Sequence, residues 1–268
     1  MISIIKQTNF KTIVFKILKA VAVVLFWLFV WEMASFLMAK DNELMRLILP
    51  SPAAVFKKWG EIAFTNEFSS AVLKTLGNVL SGFVAGLIVG SAFGALTYYF
   101  KLADGLFSPL IKLIRAVPVV AIIILLYLFF KSNDLPMIIV SLMVMPIMWQ
   151  TVKDGLEGYN KELFEMCKVY KIPLKKSFFF IKLPSLLPAF LTGAVNSLGL
   201  AWKSGVAAEV ICLPDKSLGT ILWQSKGNVN YDEVYAVTLT VVILSIIFEI
   251  LLKYLLKKAV ERTKYAPT

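Results

Sequence analysis

The chain has 268 residues, of which 59% are hydrophobic and 17% are charged, and its mean hydropathy is +0.78. A soluble domain carries about 45–50% apolar and about 25% charged residues, and its interior is too small to hide this excess. The composition therefore excludes an ordinary soluble protein and predicts an all-α integral membrane protein in a lipid bilayer. The net charge of +11 comes from lysines beside apolar runs, which favours membrane orientation over nucleic-acid binding.

Six apolar stretches are long enough to cross a bilayer, which takes about 20 residues. They are residues 18–39, 71–100, 106–130, 135–152, 187–212 and 234–256. The first is longer than the apolar part of a signal peptide, so we interpret it as a retained helix. We therefore predict a single transmembrane domain over residues 1–268. Its six-helix membrane part is 18–256, with tails 1–17 and 257–268 and a basic loop at 153–186.

The distribution of Lys and Arg predicts the orientation of these stretches. With the N-terminus inside the cell, the inner segments contain 19 of the 28 basic residues and the outer segments contain 8. Positive residues are enriched in cytoplasmic loops. We therefore expect a multi-pass protein of a prokaryotic cell membrane with both termini in the cytoplasm.

Glycines recur every fourth residue in the second stretch, at Gly82, Gly86, Gly90 and Gly94. This spacing places them on one face of a helix. A glycine inside a helix costs about 0.8–1.0 kcal/mol relative to alanine, so we expect close helix packing to compensate. The packing partner is either another helix of the same chain or a sliding or dimer surface.

The next segment with a recognisable pattern is the basic loop. Residues 162–173 form an amphipathic helix pattern that Pro173 ends. Its apolar side chains are Leu163, Met166, Val169 and Tyr170. Such a helix docks into a groove of a partner protein or rests on anionic lipid.

Polar side chains inside the fifth stretch are candidates for a solute pathway. A charged residue at this depth costs about 2.5–3.5 kcal/mol, so Lys203 should face a cavity or a partner. Asn196 lies seven residues earlier on the same face, and Glu209 lies six residues later near the outer end. We predict that Asn196, Lys203 and Glu209 line a passage that favours an anionic solute. Alternatively, Lys203 pairs with an acidic group that holds helices or subunits together.

The residue inventory argues against an enzyme or a metal site. The chain has no histidine, and its two cysteines, Cys167 and Cys212, are far apart. It has no catalytic constellation at one depth. It also lacks the glycine-rich phosphate loop that binds ATP in many ATPases. We expect no cofactor in this chain.

The basic loop resembles the coupling loop of ABC importer permeases. That pattern is Glu-Ala-Ala, three residues, Gly, nine residues, Ile, one residue, Leu-Pro. Four residues match it in register: Glu165, Ile181, Leu183 and Pro184. Three depart from it, because Met166 and Cys167 stand for the alanines and Lys171 stands for the glycine.

Further segments over about residues 45–255 are similar to permeases of the nitrate, sulfonate and taurine importer branch. They are Leu49-Pro50-Ser51-Pro52, Thr75-Leu76, Arg115-Ala116-Val117-Pro118, Ala201-Trp202-Lys203, Ala207-Ala208-Glu209 and Leu218-Gly219. Each motif is short, and the resemblance depends on their common order and depth along the chain.

The resemblance implies a fold like that of type I ABC importer permeases, with a cytoplasmic coupling helix. It implies a homodimer whose two copies enclose the passage, and two ATPase subunits that bind ATP and Mg²⁺. An extracytoplasmic binding protein would deliver a small, anionic solute such as a sulfonate, taurine or nitrate. Two alternatives stay open: import of a vitamin precursor, such as a thiamine pyrimidine or a riboflavin-like compound, and a secondary transporter that works alone.

Overall fold

The computed structural model describes residues 10–41 and 47–264, and the regular structure in these ranges is helical throughout. Residues 1–9 and 265–268, the outer parts of the two predicted tails, lie outside the described residues. The helices are α1 (Phe10–Asp41), α2 (Pro52–Ile62), α3 (Asn66–Tyr99), α4 (Lys101–Ala116), α5 (Val119–Tyr127), α6 (Leu135–Glu157), α7 (Lys161–Val169), α8 (Leu174–Ser177), α9 (Leu183–Cys212), α10 (Leu218–Gly227) and α11 (Tyr231–Lys264). A π-helical turn, Phe178–Lys182, joins α8 to α9.

The helices of the described residues supply five spans that are long and apolar enough to cross a membrane, and α4 with α5 makes a possible sixth. The five are Val21–Lys40, Asn66–Tyr99, Leu135–Glu157, Lys175–Cys212 and Tyr231–Tyr254. The prediction of an all-helical membrane protein with about six spans is confirmed.

The third predicted span, a single helix over 106–130, is wrong. Helices α4 and α5 meet at an angle of 104°, and the break falls at Val117 and Pro118. A proline forces the preceding residue out of the helical region, and Val117 has φ −79° and ψ 134°. Residues 101–105, which lie between the second and third predicted spans, are instead the first turn of α4.

The described residues divide into two compact units, one within 1–63 and 225–236 and the other within 64–224 and 237–268. In the first unit, the segment before α2 is tied to α1. Trp31 Nε1 donates to the Pro50 carbonyl at 3.0 Å, and Ser35 Oγ donates to the Leu49 carbonyl at 2.8 Å. Ser51 then caps α2 through its side chain.

The second unit is built around α6, which packs against both α3 and α9. The buried side chains where these three helices meet are Val79, Phe83, Val140, Val144, Met148, Ala194, Leu198, Ala201 and Trp202. Half-buried side chains of α11, including Leu244 and Phe248, pack against this cluster. The α3–α6–α9 layer is therefore the hydrophobic core of this unit.

The glycine face of α3 lies directly against α6. A methyl group added to Gly86 would stand 2.6 Å from Val144 Cβ and 2.8 Å from the Ser141 carbonyl oxygen. At Gly82 and Gly94 the added group would lie 2.5 and 2.7 Å from carbonyl oxygens of α6. Real side chains do not fit at such distances, so the structure places the ridge in packing within the chain rather than on a free surface.

This contact predicts how a single methyl group affects stability. Gly86→Ala should lower the free energy of unfolding by about 1–3 kcal/mol, the usual cost of overpacking a core. Thermal unfolding in detergent micelles measures it. Gly77→Ala is the matched control, because it lies on the same helix and its added methyl group would meet no atom within 4 Å. Equal melting temperatures for the two variants would contradict the packing account.

Candidate functional site

Helix α7 is a surface element with an uncovered apolar face. Asn160 caps it, because the Asn160 side-chain oxygen accepts a hydrogen bond from the Leu163 amide at 3.0 Å. None of its nine residues is buried. The predicted anchors are all exposed: Leu163 (47%), Met166 (53%), Val169 (78%) and Tyr170 (72%). An apolar face of this kind, rimmed by charges, is typical of a docking surface.

The turn after α7 forms with a lysine where the family pattern has a glycine. Lys171 has a φ of 51°, in the left-handed region that glycine adopts most easily. Its amide donates to the Lys168 carbonyl at 3.0 Å, and the Ile172 amide donates to the Cys167 carbonyl at 2.9 Å. These two bonds are the Schellman ending of a helix. The chain therefore forms a tight turn here although a lysine stands for the glycine, with backbone strain at Lys171.

The structure separates the residues of the coupling pattern into two groups. Glu165, Met166 and Cys167 lie on α7, with Glu165 and Met166 exposed and Cys167 half-buried. Leu183 and Pro184 begin α9. A proline is tolerated in the first turn of a helix, because its missing N–H group would have no hydrogen-bond partner there. Half-buried Ile181 lies in the π-helical turn just before them.

The bounds of the predicted loop, 153–186, are too wide. Helix α6 continues to Glu157, and the helical region that leads into the fifth span begins well before residue 187. Hydropathy misses these ends because charged residues lower the average where a helix leaves the apolar layer. The connecting segment is therefore a string of short helices rather than an open loop.

Lys182, which belongs to no motif predicted from the sequence, is buried beside this segment. Its ammonium donates to the Tyr98 hydroxyl at 3.0 Å. Four rings surround it, with centroids 4.7–5.6 Å from Nζ: Tyr98, Tyr99, Tyr159 and Phe164. We call these four residues the aromatic cage. Its members come from distant parts of the sequence, and the only local signal was a lysine between apolar residues.

A polar face on α9 carries two of the predicted pathway residues. Asn196 and Lys203 are both exposed, as is Thr192 one turn before Asn196. Within the described part of the chain, no acidic side chain forms an ion pair with Lys203. Among the residues that the structure describes, the exposed charge of Lys203 therefore has no acidic partner that would give it a structural role.

A groove of about 560 Å³ runs between α9 and α11 on this side. Its lining residues are Leu191, Thr192, Val195, Asn196, Gly199, Glu249 and Lys253. Glu249 and Lys253, which no sequence motif indicated, form an ion pair of 2.5 Å along α11. The groove thus presents an amide, a hydroxyl and both signs of charge.

Glu209 does not lie on this face, and its predicted place in the passage is wrong for this structure. It is fully buried and accepts hydrogen bonds from Thr75 Oγ1 at 2.8 Å, Asn78 Nδ2 at 3.1 Å and the Gly219 amide at 3.3 Å. A carboxylate held by three donors within the chain joins helices. Here it connects α3, α9 and α10.

The family model of the binding-protein-dependent transport system inner membrane component matches residues 82–261, more than half of the chain. The chain belongs to this family.

Several relatives have names that refer to small solutes. The aliphatic sulfonates transport permease protein SsuC of Bacillus subtilis is 26% identical, over 61% of this chain and 60% of that protein. The bicarbonate transport system permease protein CmpB of Synechocystis is 29% identical, over 57% of this chain and 55% of that one. The taurine transport system permease protein TauC of Escherichia coli is 24% identical, over 79% of each. The matched region is thus less than two thirds of SsuC and of CmpB.

Solved structures share the fold. A chain of the MetNI methionine ABC transporter, crystallised in inward-facing conformations, superposes with a TM-score of 0.60 and 17% identity, over 75% of this chain and 98% of that chain. The expected fold of a type I ABC importer permease is therefore confirmed for this family member.

The strained turn after α7 gives a direct test of the local structure. A left-handed residue other than glycine costs about 1–2 kcal/mol, so Lys171→Gly should make the turn more stable by a similar amount. Backbone hydrogen exchange of residues 168–172 should slow in the variant. Lys168→Gly is the control, because Lys168 lies inside the helix, where glycine destabilises. Faster exchange in Lys171→Gly would contradict the turn geometry.

Proposed function

We propose that this family member is the transmembrane permease subunit of an ABC importer, which forms the passage for a small anionic solute and takes its energy from a separate ATPase. The observation that carries the proposal is the exposed apolar face of α7, followed in register by Ile181, Leu183 and Pro184. None of the residues of α7 is fully buried and its apolar face is exposed, which a docking partner would explain.

The proposed partner is a pair of ATPase subunits, one for each permease copy, which bind ATP and Mg²⁺. The chain lacks the glycine-rich phosphate loop with which many ATPases bind ATP. Met166 and Val169 would enter a groove of the ATPase, with charged residues such as Glu165 and Lys168 around the rim. This division of labour makes the chain a transport subunit rather than an enzyme.

The proposed orientation follows from the basic residues that surround α7. The segment 153–186 is rich in lysine, so the α7 end of the bundle belongs in the cytoplasm, as do both termini. At the opposite end, the Asn133 amide group donates to Asp215 at 2.9 Å and ties two short loops together. That face is where an extracytoplasmic binding protein would deliver the solute.

The proposed passage lies between two copies of the chain. An exposed Lys203 facing hydrocarbon would cost about 2.5–3.5 kcal/mol, whereas a water-filled passage removes most of that cost. Asn196 and Thr192 lie on the same face. A second copy related by a two-fold axis would enclose this face and present the same groups from the other side. Binding of ATP would then alternate the opening between the two sides of the membrane.

The proposed solute class is a small anion or zwitterion. Two observations support this class. Lys203 places a positive charge on the proposed passage, and the names of relatives refer to sulfonates, bicarbonate and taurine. A stand-alone transporter would leave the apolar face of α7 without a role, so we place it second.

Cys167 is a natural reporter of docking, because it lies half-buried on α7 while Cys212 is buried. A membrane-impermeant maleimide should label Cys167 in inside-out vesicles and leave it unlabelled in right-side-out vesicles. Added ATPase subunits should slow the labelling, since docking covers α7. Cys167→Ser is the control for labelling elsewhere. Labelling from the outside, or labelling that the ATPase does not change, would refute the docking proposal.

Lys203 should contribute to transport of anions. Lys203→Met should lower the uptake of taurine or ethanesulfonate at least about fivefold, the effect of losing roughly 1 kcal/mol of charge–charge attraction. Uptake into proteoliposomes containing the assembled complex measures this. Lys203→Arg keeps the charge and should retain most of the uptake. Unchanged uptake by Lys203→Met in an assembled complex would remove Lys203 from the passage.

A further inference from the structure

The aromatic cage is the structural feature that ties α7 to the membrane helices. Lys182 Nζ lies 5.0 Å from the Tyr98 ring centroid, 5.6 Å from that of Tyr99, 4.7 Å from that of Tyr159 and 5.0 Å from that of Phe164. All four distances are within the range of a cation–π interaction. The side chain is only 9% exposed, so these interactions act with little water present.

Rings, rather than a carboxylate, hold this buried cation. Among the residues that the structure describes, no acidic side chain forms an ion pair with Lys182, and its hydrogen bond goes to the Tyr98 hydroxyl. The rings also contact each other edge to face, Tyr98 with Tyr99 at 4.8 Å and Tyr159 with Phe164 at 5.2 Å. The cage is therefore one packed cluster around a single ammonium.

The members of the cage belong to helices that must move together if an ATPase moves α7. Tyr98 and Tyr99 end α3, Tyr159 lies between α6 and α7, and Phe164 is on α7 itself. Lys182 immediately precedes α9. The Lys182 side chain thus connects α7 with the C-terminal end of α3 and the N-terminal end of α9.

The backbone at Lys182 is also unusual. The Leu183 amide bonds to the Phe178 carbonyl, five residues back, which defines the π-helical turn. Single π-helical turns of this kind are frequent at functional sites, and the extra residue reorients the side chains that follow. Between Ile181 and Leu183 the family pattern accepts any residue, so the cage is a feature of this sequence rather than of the pattern.

We propose that Lys182 is a positioning residue that transmits the movement of α7 to α3 and α9 through the aromatic cage. This inference rests on the proposed function, in which an ATPase moves α7. Coupling between distant sites is carried by packed side chains that link rigid elements. Since no residue of α7 is fully buried, the contact of Phe164 and Tyr159 with Lys182 gives displacement of α7 a direct route to the core.

The test compares the number of solute molecules transported per ATP hydrolysed in proteoliposomes that contain the permease, its ATPase and its binding protein, with taurine as the probe. Lys182→Met removes the charge but keeps a long side chain, and we expect the ratio to fall between about 2-fold and 30-fold, the range of mutations along coupling networks. Lys182→Arg keeps a cation that rings can hold and should restore the ratio. Lys176→Met, an exposed lysine of the same segment, is the matched control and should leave it unchanged.

The outcomes separate this inference from the proposed function. A wild-type complex that shows no ATP-dependent uptake of any probe that its binding protein binds would overturn the proposed function itself. Normal wild-type transport with an unchanged ratio in Lys182→Met would overturn the inference alone, as would equal losses in Lys182→Met and Lys176→Met. If the Lys182→Met permease fails to assemble with its partners, the Tyr159→Leu variant is measured instead. This variant removes one ring of the cage and keeps Lys182. A normal ratio in Tyr159→Leu would also overturn the inference.

Discussion

The rest of the structure depends on the close approach of α3 and α6. Glycines at every fourth position of α3 let carbonyl groups of α6 come so near that a single methyl group at Gly86 would not fit. Because α6 also packs against α9, this contact fixes the three helices of the core as one layer. Beyond the glycines, Trp149 Nε1 of α6 donates to Thr97 Oγ1 of α3 at 2.8 Å and keeps the same register.

The α3–α6–α9 layer ends next to α7, the surface helix on which the proposed function depends. Both α3 and α6 end beside α7, and the cage around Lys182 joins their ends to it. A force on α7 would therefore reach a rigid pair of helices rather than a flexible loop. At the opposite end of α9, the buried Glu209 fixes α9 to α3, so α9 is held near both ends. The polar face with Lys203 lies between these two attachments.

Features that depend on local spacing could be predicted from the sequence. The glycine ridge, the exposed anchors of α7 and the match of Ile181, Leu183 and Pro184 all follow from residue order along one segment. Features that depend on distant segments could not. The aromatic cage and Lys182 together come from four places in the chain, and Glu209 meets partners more than a hundred residues away. The break at Pro118 was missed because hydropathy is continuous across it, although proline gave the signal.

The central claim is that α7 is the part of this permease that a nucleotide-driven partner holds. Hydrogen–deuterium exchange of the permease in lipid nanodiscs, with and without its ATPase subunits, tests it most directly. The account predicts that amides of residues 161–172 become strongly protected when the ATPase binds, while the turn at 128–134 on the opposite end does not change. Unchanged exchange across 161–172 in a complex that still imports solute with ATP would contradict it.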